Sequence, residues 1–145
     1  WVRVRLPGAT SDYFSSLTFD GVNYWVVRPM KTTNEIYKLT ETGSVISSFM
    51  AWKHGGARGI AKQGDFFWLS CEDNYRIPFF FGAAKVNTSG TVVATFEVGQ
   101  TMYDCAYENN HLWVGGNSRY VYCFDVANAP AVAPASLGRV KALFR

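Results

Sequence analysis

An all-β fold built from repeated four-stranded antiparallel units is what this sequence predicts. Three observations predict it. First, one phrase recurs: Asp20-Gly21-Val22-Asn23-Tyr24-Trp25-Val26-Val27, then Gln63-Gly64-Asp65-Phe66-Phe67-Trp68-Leu69-Ser70, then Glu108-Asn109-Asn110-His111-Leu112-Trp113-Val114-Gly115. Each copy is a turn-forming cluster followed by a short apolar run, and its tryptophans lie 43 and then 45 residues apart. Second, Gly43-Ser44-Val45-Ile46-Ser47-Ser48-Phe49 is matched by Gly90 to Phe96 and by Gly138 to Phe144, with glycines 47 and 48 apart. Third, no stretch of helical length repeats apolar residues at i, i+3, i+4 and i+7. The nearest candidate, Leu137 to Arg145, fits the strand pattern of the other units better. A period in the forties with strands inside it is the pattern of β-propeller blades.

Each unit reads as four strands. The first is Ser15 to Phe19, Arg58 to Lys62, or Tyr103 to Tyr107. Asp20-Gly21, Gln63-Gly64 and Asn109-Asn110 then make the turn, because Asp, Asn and Gly tolerate the positive φ of tight hairpins. The second strand carries the Trp. The third is Ile36 to Leu39, Ala83 to Val86, or Val121 to Asp125. Glu41-Thr42-Gly43 and Thr88-Ser89-Gly90 turn the chain into the fourth strand, which ends on Phe49, Phe96 or Phe144. The strands are rich in Val, Ile, Phe, Tyr and Trp, which suit a pleated, half-buried surface.

Blades are accordingly expected over residues 12–52, 55–99 and 100–145, in one partial propeller domain spanning residues 1–145. Residues 1–6, Trp1-Val2-Arg3-Val4-Arg5-Leu6, alternate like the last strand of a preceding blade. A lone four-stranded sheet cannot bury both faces, so blades must stack side by side. All three repeat tryptophans and the closing phenylalanines are therefore expected between neighbouring sheets. Phe79-Phe80-Phe81 is read as packing of the same kind.

Closed propellers have about four to eight blades, so three blades are an incomplete ring. The first expectation is that this is the C-terminal part of a longer propeller, and a start at Trp1 rather than Met fits an upstream segment. The alternative is a three-blade protomer that self-assembles, two copies making a ring of about six blades.

The chain has 145 residues and net charge +3 from 14 basic and 11 acidic side chains. The positive charges are scattered and form no basic stripe interleaved with aromatics, so nucleic acid is not an expected partner. No apolar run approaches the roughly 20 residues of a membrane helix. Cys71, Cys105 and Cys123 show no metal-binding spacing. Cys105 aligns with Leu17 and Ile60 and reads as a buried thiol, while Cys71 and Cys123 would pair only if adjacent blades brought them together. His54 and His111 are the only histidines, and neither belongs to a catalytic or zinc spacing. Glu72, Asp73 and Asn74 offer oxygen ligands for calcium, but a solvated loop is the simpler reading. Neither a cofactor nor a resident metal is expected.

The series Asp20-Gly21-x-x-x-Trp25-Val26, Ile36-Tyr37-Lys38-Leu39 and Gly43-x-Val45-x-x-x-Phe49 resembles blades of secreted bacterial and archaeal β-propellers. These are the NHL, YVTN, PQQ-like and glutamine-cyclotransferase-like repeat proteins. The closing Ser136 to Arg145 resembles the C-terminal strand of such proteins. The resemblance covers residues 12 to 145 and lacks the Trp-Asp dipeptide of WD40 blades. It implies an extracellular or periplasmic location and leaves the activity open, since one blade pattern serves many functions.

Propeller sites gather on the axis or at one rim. Alignment of the units puts Asp12, Tyr13, Ser15, His54, Arg58, Tyr103 and Asp104 near one end of the central channel. Arg58 offers a planar fork to carboxylate or phosphate, and Asp104 accepts from hydroxyl or amine. Arg58 and Asp104 could instead pair with each other across successive blades. The expected function is a non-enzymatic, secreted or cell-surface module that binds a protein or carbohydrate, or serves as scaffold. The competing expectation is part of a propeller enzyme (cyclotransferase-like, lyase or hydrolase) whose site is completed by further blades.

Overall fold

Alternation of side chains along short strands, punctuated by turn residues, produces three antiparallel sheets. The computed structural model describes residues 13–30, 33–51, 55–73, 80–117 and 119–127. Among them there are strands and no helix. The first sheet joins β1 (Ser16–Phe19), β2 (Tyr24–Pro29), β3 (Asn34–Leu39) and β4 (Val45–Ala51) in that order. The second joins β5 (Gly56–Gln63), β6 (Phe66–Asp73), β7 (Phe80–Asn87) and β8 (Val92–Glu97). The third joins β9 (Met102–Glu108), β10 (His111–Gly116) and β11 (Val121–Asp125) in the order β11-β10-β9. Up-and-down order within each sheet is the blade topology. The expected strand at Gly138 to Phe144, the strand at residues 1–6 and the Leu137 to Arg145 segment lie outside the described residues.

The hairpins form where the turn residues stand. Glu108 pairs with His111, leaving Asn109 (φ 49°) and Asn110 (φ 64°) as a two-residue loop with both φ values positive. That is the geometry whose twist matches the strands it joins. At the first hairpin the Asp20 carboxylate accepts from the amides of Val22 and Asn23. Asn87 does the same for Ser89 and Thr91 at the turn into β8. Polar side chains thus satisfy the turn amides that the ladder leaves over.

The register places equivalent residues in equivalent places. Trp25 stands opposite Lys38, Trp68 opposite Lys85, and Trp113 opposite Cys123. Trp25, Val27, Ile36 and Ala51 pack against Phe67, Leu69, Cys71, Ala84 and Val86 of the second sheet. The Trp25 and Phe67 rings are 4.7 Å apart. From the other face of the second sheet, Ala61, Trp68, Ala83, Ala94 and Phe96 pack against Met102, Cys105, Leu112, Val114 and Phe124. This explains the unbroken run Phe66-Phe67-Trp68-Leu69, because a strand covered on both faces needs no polar alternation. Burying an indole removes roughly 150–250 Å² from water, worth about 4–6 kcal/mol at about 25 cal/mol per Å². Trp68 is wholly buried and gains that in full.

One expectation needs correction, and one question the sequence leaves open is answered. Trp113 is not core: it is 44% exposed, against 7% for Trp25 and none for Trp68. Each Trp faces the sheet that follows it, and no further sheet among the described residues covers the third. Cys71 and Cys123 do not pair; all three cysteines are free, Cys71 and Cys105 buried and Cys123 exposed. Cys71 lies in the interface between the first and second sheets, whereas Cys123 lies on the open face of the third. Cys105 is the buried thiol its alignment implied, and burial pushes it up to about 12. Phe80 is half-buried and packs on the first core cluster. Phe79 is outside the described residues.

Candidate functional site

The rim is made by the starts of the three first strands, β1, β5 and β9. These strands sit side by side because small residues let their backbones approach. A methyl group at Gly59 would lie 2.6 Å from the Asp104 Cα and 2.7 Å from both Asp104 Oδ1 and the Cys105 nitrogen. The Asp104 carboxylate therefore crosses over Gly59 and accepts a 3.2 Å hydrogen bond from the Ser16 hydroxyl. One contact thus joins the first sheet to the third across the second. Ser15 donates to the Ala57 carbonyl at 2.8 Å, closing the gap between β1 and β5. Ser16, Gly59 and Asp104 occupy equivalent places in the three repeats.

A second fastening lies just outside this ring. Asn34 at the start of β3 is fully buried. Its amide donates to the Gly55 carbonyl at 3.1 Å and accepts from the Ala57 amide at 2.7 Å. The interface between sheets one and two is thereby fixed at the same end as the rim.

The solvent side of the rim is aromatic and cationic. Tyr13 is 58% exposed, Tyr103 51%, and the Arg58 side chain 41%. The Arg58 guanidinium donates long, 3.4 Å hydrogen bonds to the Tyr13 hydroxyl and to Glu72. Glu72, on β6, is mostly buried and holds the guanidinium from below. The structure therefore unites Tyr13 with Arg58 and separates the roles of Arg58 and Asp104. Arg58 has Glu72 as its ion-pair partner, and Asp104 braces Ser16. Glu72, weighed in the sequence as an oxygen ligand for calcium, is engaged by Arg58. Asp12 and His54 fall outside the described residues. Among the described residues no group of three or more His, Cys, Asp or Glu side chains lies close enough to hold a metal ion.

Sequence reasoning did not single out a repeated feature at the opposite ends of these strands. The first residue of the first two recurring phrases accepts from its tryptophan: Trp25 Nε1 to Asp20 Oδ2 at 2.6 Å, Trp68 Nε1 to Gln63 Oε1 at 2.8 Å. Lys38 and Lys62 lie over Trp25, and Lys85 lies over Trp68. Burial lowers both Lys62 and Lys85, the first in spite of Asp65 and Asp20 nearby. Burial alone would raise Asp20. The Trp25 indole, the Asn23 and Val22 amides and Lys38 outweigh it and leave the carboxyl below its ordinary 3.8. The signal was in the sequence, as the constant five-residue step to Trp and the Lys in the third strand of two units. These groups line the edges of the sheet interfaces.

No protein-family model and no curated protein matches the chain. Solved structures do. A protein of unknown function from Bacteroides caccae superposes with a TM-score of 0.67 at 14% identity, over 90% of this chain and 47% of its own. The computationally designed Ika8 protein superposes with a TM-score of 0.57 at 10% identity, over 81% of this chain and 35% of its own. A looser likeness, TM-score 0.47 at 11% identity over 87% of this chain and 50% of the other, is to the WD40 domain of Neurospora crassa Pan2.

The fold is a β-propeller blade array. The chain spans about half the length of the Bacteroides caccae protein and about a third of Ika8. At these identities the likeness carries architecture alone. Among the described residues no helix is long and apolar enough to cross a membrane.

Proposed function

We propose that this chain is a non-enzymatic binding module, a portion of a larger propeller ring that works outside the cytoplasm. Its axial rim engages an acidic group on a protein or carbohydrate partner. The observation that carries this reading is the state of Arg58. Its guanidinium is half-exposed, held from beneath by Glu72 and flanked by Tyr13. An arginine already oriented loses little freedom on accepting a carboxylate. Exposed Tyr13 and Tyr103 add flat, amphipathic surface of the kind favoured at recognition sites. The rim carboxylates serve the scaffold: Asp104 holds Ser16, and Glu72 holds Arg58. That division of labour favours binding over turnover.

The ring reading is supported by the exposure of Leu17 in the first sheet and Trp113 in the third, among the described residues, and by neighbours with more chain than this one. Location outside the cytoplasm is supported by the sequence resemblance to secreted propellers. Calorimetric titration with a glutamate-rich peptide and with a uronic-acid oligosaccharide tests the site. Arg58→Ala or Tyr103→Ala is expected to weaken binding of the responding probe at least tenfold. Equal binding by wild type and both variants, or no binding of either probe, refutes the rim as the site.

A further inference from the structure

The first strands of all three sheets break their ladders at the same place. In β5, Ala57 pairs with Cys71 and Gly59 with Ser70, which leaves Arg58 as an extra residue between them. In β9, Met102 pairs with Gly116 and Asp104 with Gly115, which leaves Tyr103 as the extra residue. In the first sheet Ser16 pairs with Val27, and the Ser15 amide donates to the carbonyl of that same Val27 at 3.1 Å. Ser15, Arg58 and Tyr103 hold equivalent places in the three repeats, so each sheet carries a β-bulge at the rim. Bulges re-aim a side chain, are over-represented next to active sites, and are built features of a fold. The residue after each bulge is Ser16, Gly59 or Asp104, the set that locks the three strands together. The lock keeps one role, whereas the bulged residue changes from hydroxyl to guanidinium to phenol.

The chemistry gathered there is mixed. Ser15 spends its hydroxyl on the Ala57 carbonyl, so recognition falls to half-exposed Arg58 and Tyr103. Asp104 adds an acceptor. Its side chain is exposed, and both of its hydrogen bonds among the described residues, from Ser16 and from the Cys105 amide, end on Oδ1. Oδ2 is thereby left for a ligand. One cation, Arg58, stands against two carboxylates, Glu72 and Asp104, which makes the described rim a poor seat for a polyanion. A run of acidic side chains on a peptide would bring further carboxylates to Asp104. A sugar acid brings one carboxylate with hydroxyls on adjoining carbons, and a hydroxyl donates to Asp104 where an ionised carboxylate cannot. The flat face of Tyr103 suits the C–H face of a sugar ring, with the phenol free to reach a polar group at its edge.

We propose that the rim reads an acidic saccharide: Arg58 takes the carboxylate of a uronic-acid unit, Asp104 Oδ2 accepts from a hydroxyl of the sugar, and the sugar ring lies on Tyr103. The proposal rests on the rim-binding reading above and chooses carbohydrate over protein as the partner. Arg58 and Tyr103 are then the specificity positions. A bulge belongs to the strand and not to the side chain it carries, so these positions can change residue while Gly59 and Asp104 keep the strands in place.

Calorimetric titration with three probes tests this: a uronic-acid oligosaccharide, the same oligosaccharide with its carboxyls reduced to alcohols, and a glutamate-rich peptide of equal carboxylate number. The acidic sugar is expected to bind about tenfold or more tightly than either of the others, the scale of one hydrogen bond to a charged group. Asp104→Asn keeps the side-chain shape beside Gly59 and an oxygen for Ser16, but removes the charge. Charge-assisted hydrogen bonds are roughly twice as strong as neutral ones, so the acidic sugar is expected to weaken about fivefold. The peptide is expected to bind Asp104→Asn more tightly, because a repulsion is gone. Circular dichroism is expected to match wild type, and the ranking of the three probes on the wild-type protein needs no variant. A peptide that binds as tightly as the acidic sugar, a reduced sugar that binds as well as the acid, or an acidic sugar that binds Asp104→Asn equally or more tightly overturns the proposal and leaves rim binding in place. No binding by any probe overturns the rim reading, and the proposal with it.

Discussion

Gly59→Ala tests whether the axis is built as described. The added methyl would stand 2.6 Å from Asp104 Cα and 2.7 Å from the Cys105 nitrogen. Comfortable separation between carbon atoms is about 3.5–4.0 Å, so β5 and β9 must part by about 1 Å. Two of the atoms in the way are backbone, and no rotamer change relieves them. Overpacking of this kind costs about 1–3 kcal/mol, and backbone on the far side puts Gly59→Ala near the top of that range. Opening the same gap stretches the Ser16–Asp104 bond, an exposed contact that adds little.

Gly115→Ala is the matched control. Gly115 is also a strand glycine, yet nothing lies within 4 Å of a methyl placed there. Its substitution is expected to be neutral or stabilising by about 0.5 kcal/mol, because Ala narrows the unfolded ensemble. Urea titration monitored by tryptophan fluorescence compares the two midpoints at equal slope. A Gly59→Ala midpoint within about 0.5 kcal/mol of wild type, judged against expected surface-level scatter, would falsify close approach of the first strands. So would equal losses for both variants, since the difference between them is what the geometry predicts.

Other consequences follow from the same contacts. Asn34→Ala leaves the Gly55 carbonyl and Ala57 amide without that partner in a buried place, at about 1–3 kcal/mol for each group left unpaired; chemical denaturation reads the loss, and a change under 0.5 kcal/mol (about the scatter of surface substitutions) contradicts it. Asp20 lies below its ordinary 3.8 in the folded state, so its contribution is whole above that pH and disappears as pH falls through the folded value. Asp20→Asn should therefore flatten the acid side of the stability profile between pH 5 and 2 (roughly the span over which a paired carboxylate is lost), and an unchanged profile argues against the Trp25–Asp20 bond. Cys105, pushed up to about 12 by burial, should resist iodoacetamide in the native protein while exposed Cys123 reacts; peptide mapping that finds the two equally labelled would show that the second interface opens readily.

The strands were legible because their causes are local. Period-two alternation and the residues at Asp20-Gly21, Asn109-Asn110 and Gly90 act over a few positions, so the sequence carries them openly. Alignment of the repeats also put Ser16, Gly59 and Asp104 at one level, and the structure joins the first and last of them over the second. What the alignment could not supply was which side chain answers which. Arg58 had a carboxylate on the next blade one position further along, yet it takes Glu72 from the neighbouring strand of its own sheet. Glu72 is covered by the sheet and points along it, whereas Asp104 is turned over Gly59 towards Ser16, so proximity in the alignment did not decide the pairing. Asn34 was invisible for a related reason: an Asn at a strand start reads as a turn residue, and only the approach of β5 makes it a buried fastener.

The position shared by Phe19, Lys62 and Tyr107 shows how repetition and difference divide the work. Lys62 covers Trp25 as a cation over a ring. Tyr107 instead takes a hydrogen bond from Gln63, which in turn accepts from Trp68, and its hydroxyl donates to Asn110 Oδ1. The two solutions close equivalent seams, one by charge between the first and second sheets and one by a hydrogen-bonded chain between the second and third. A cation there tolerates water at the seam's edge, and a chain of hydrogen bonds fixes its direction. Phe19 offers neither charge nor hydrogen bond, and its half-exposed ring stacks on Tyr24 at 4.8 Å.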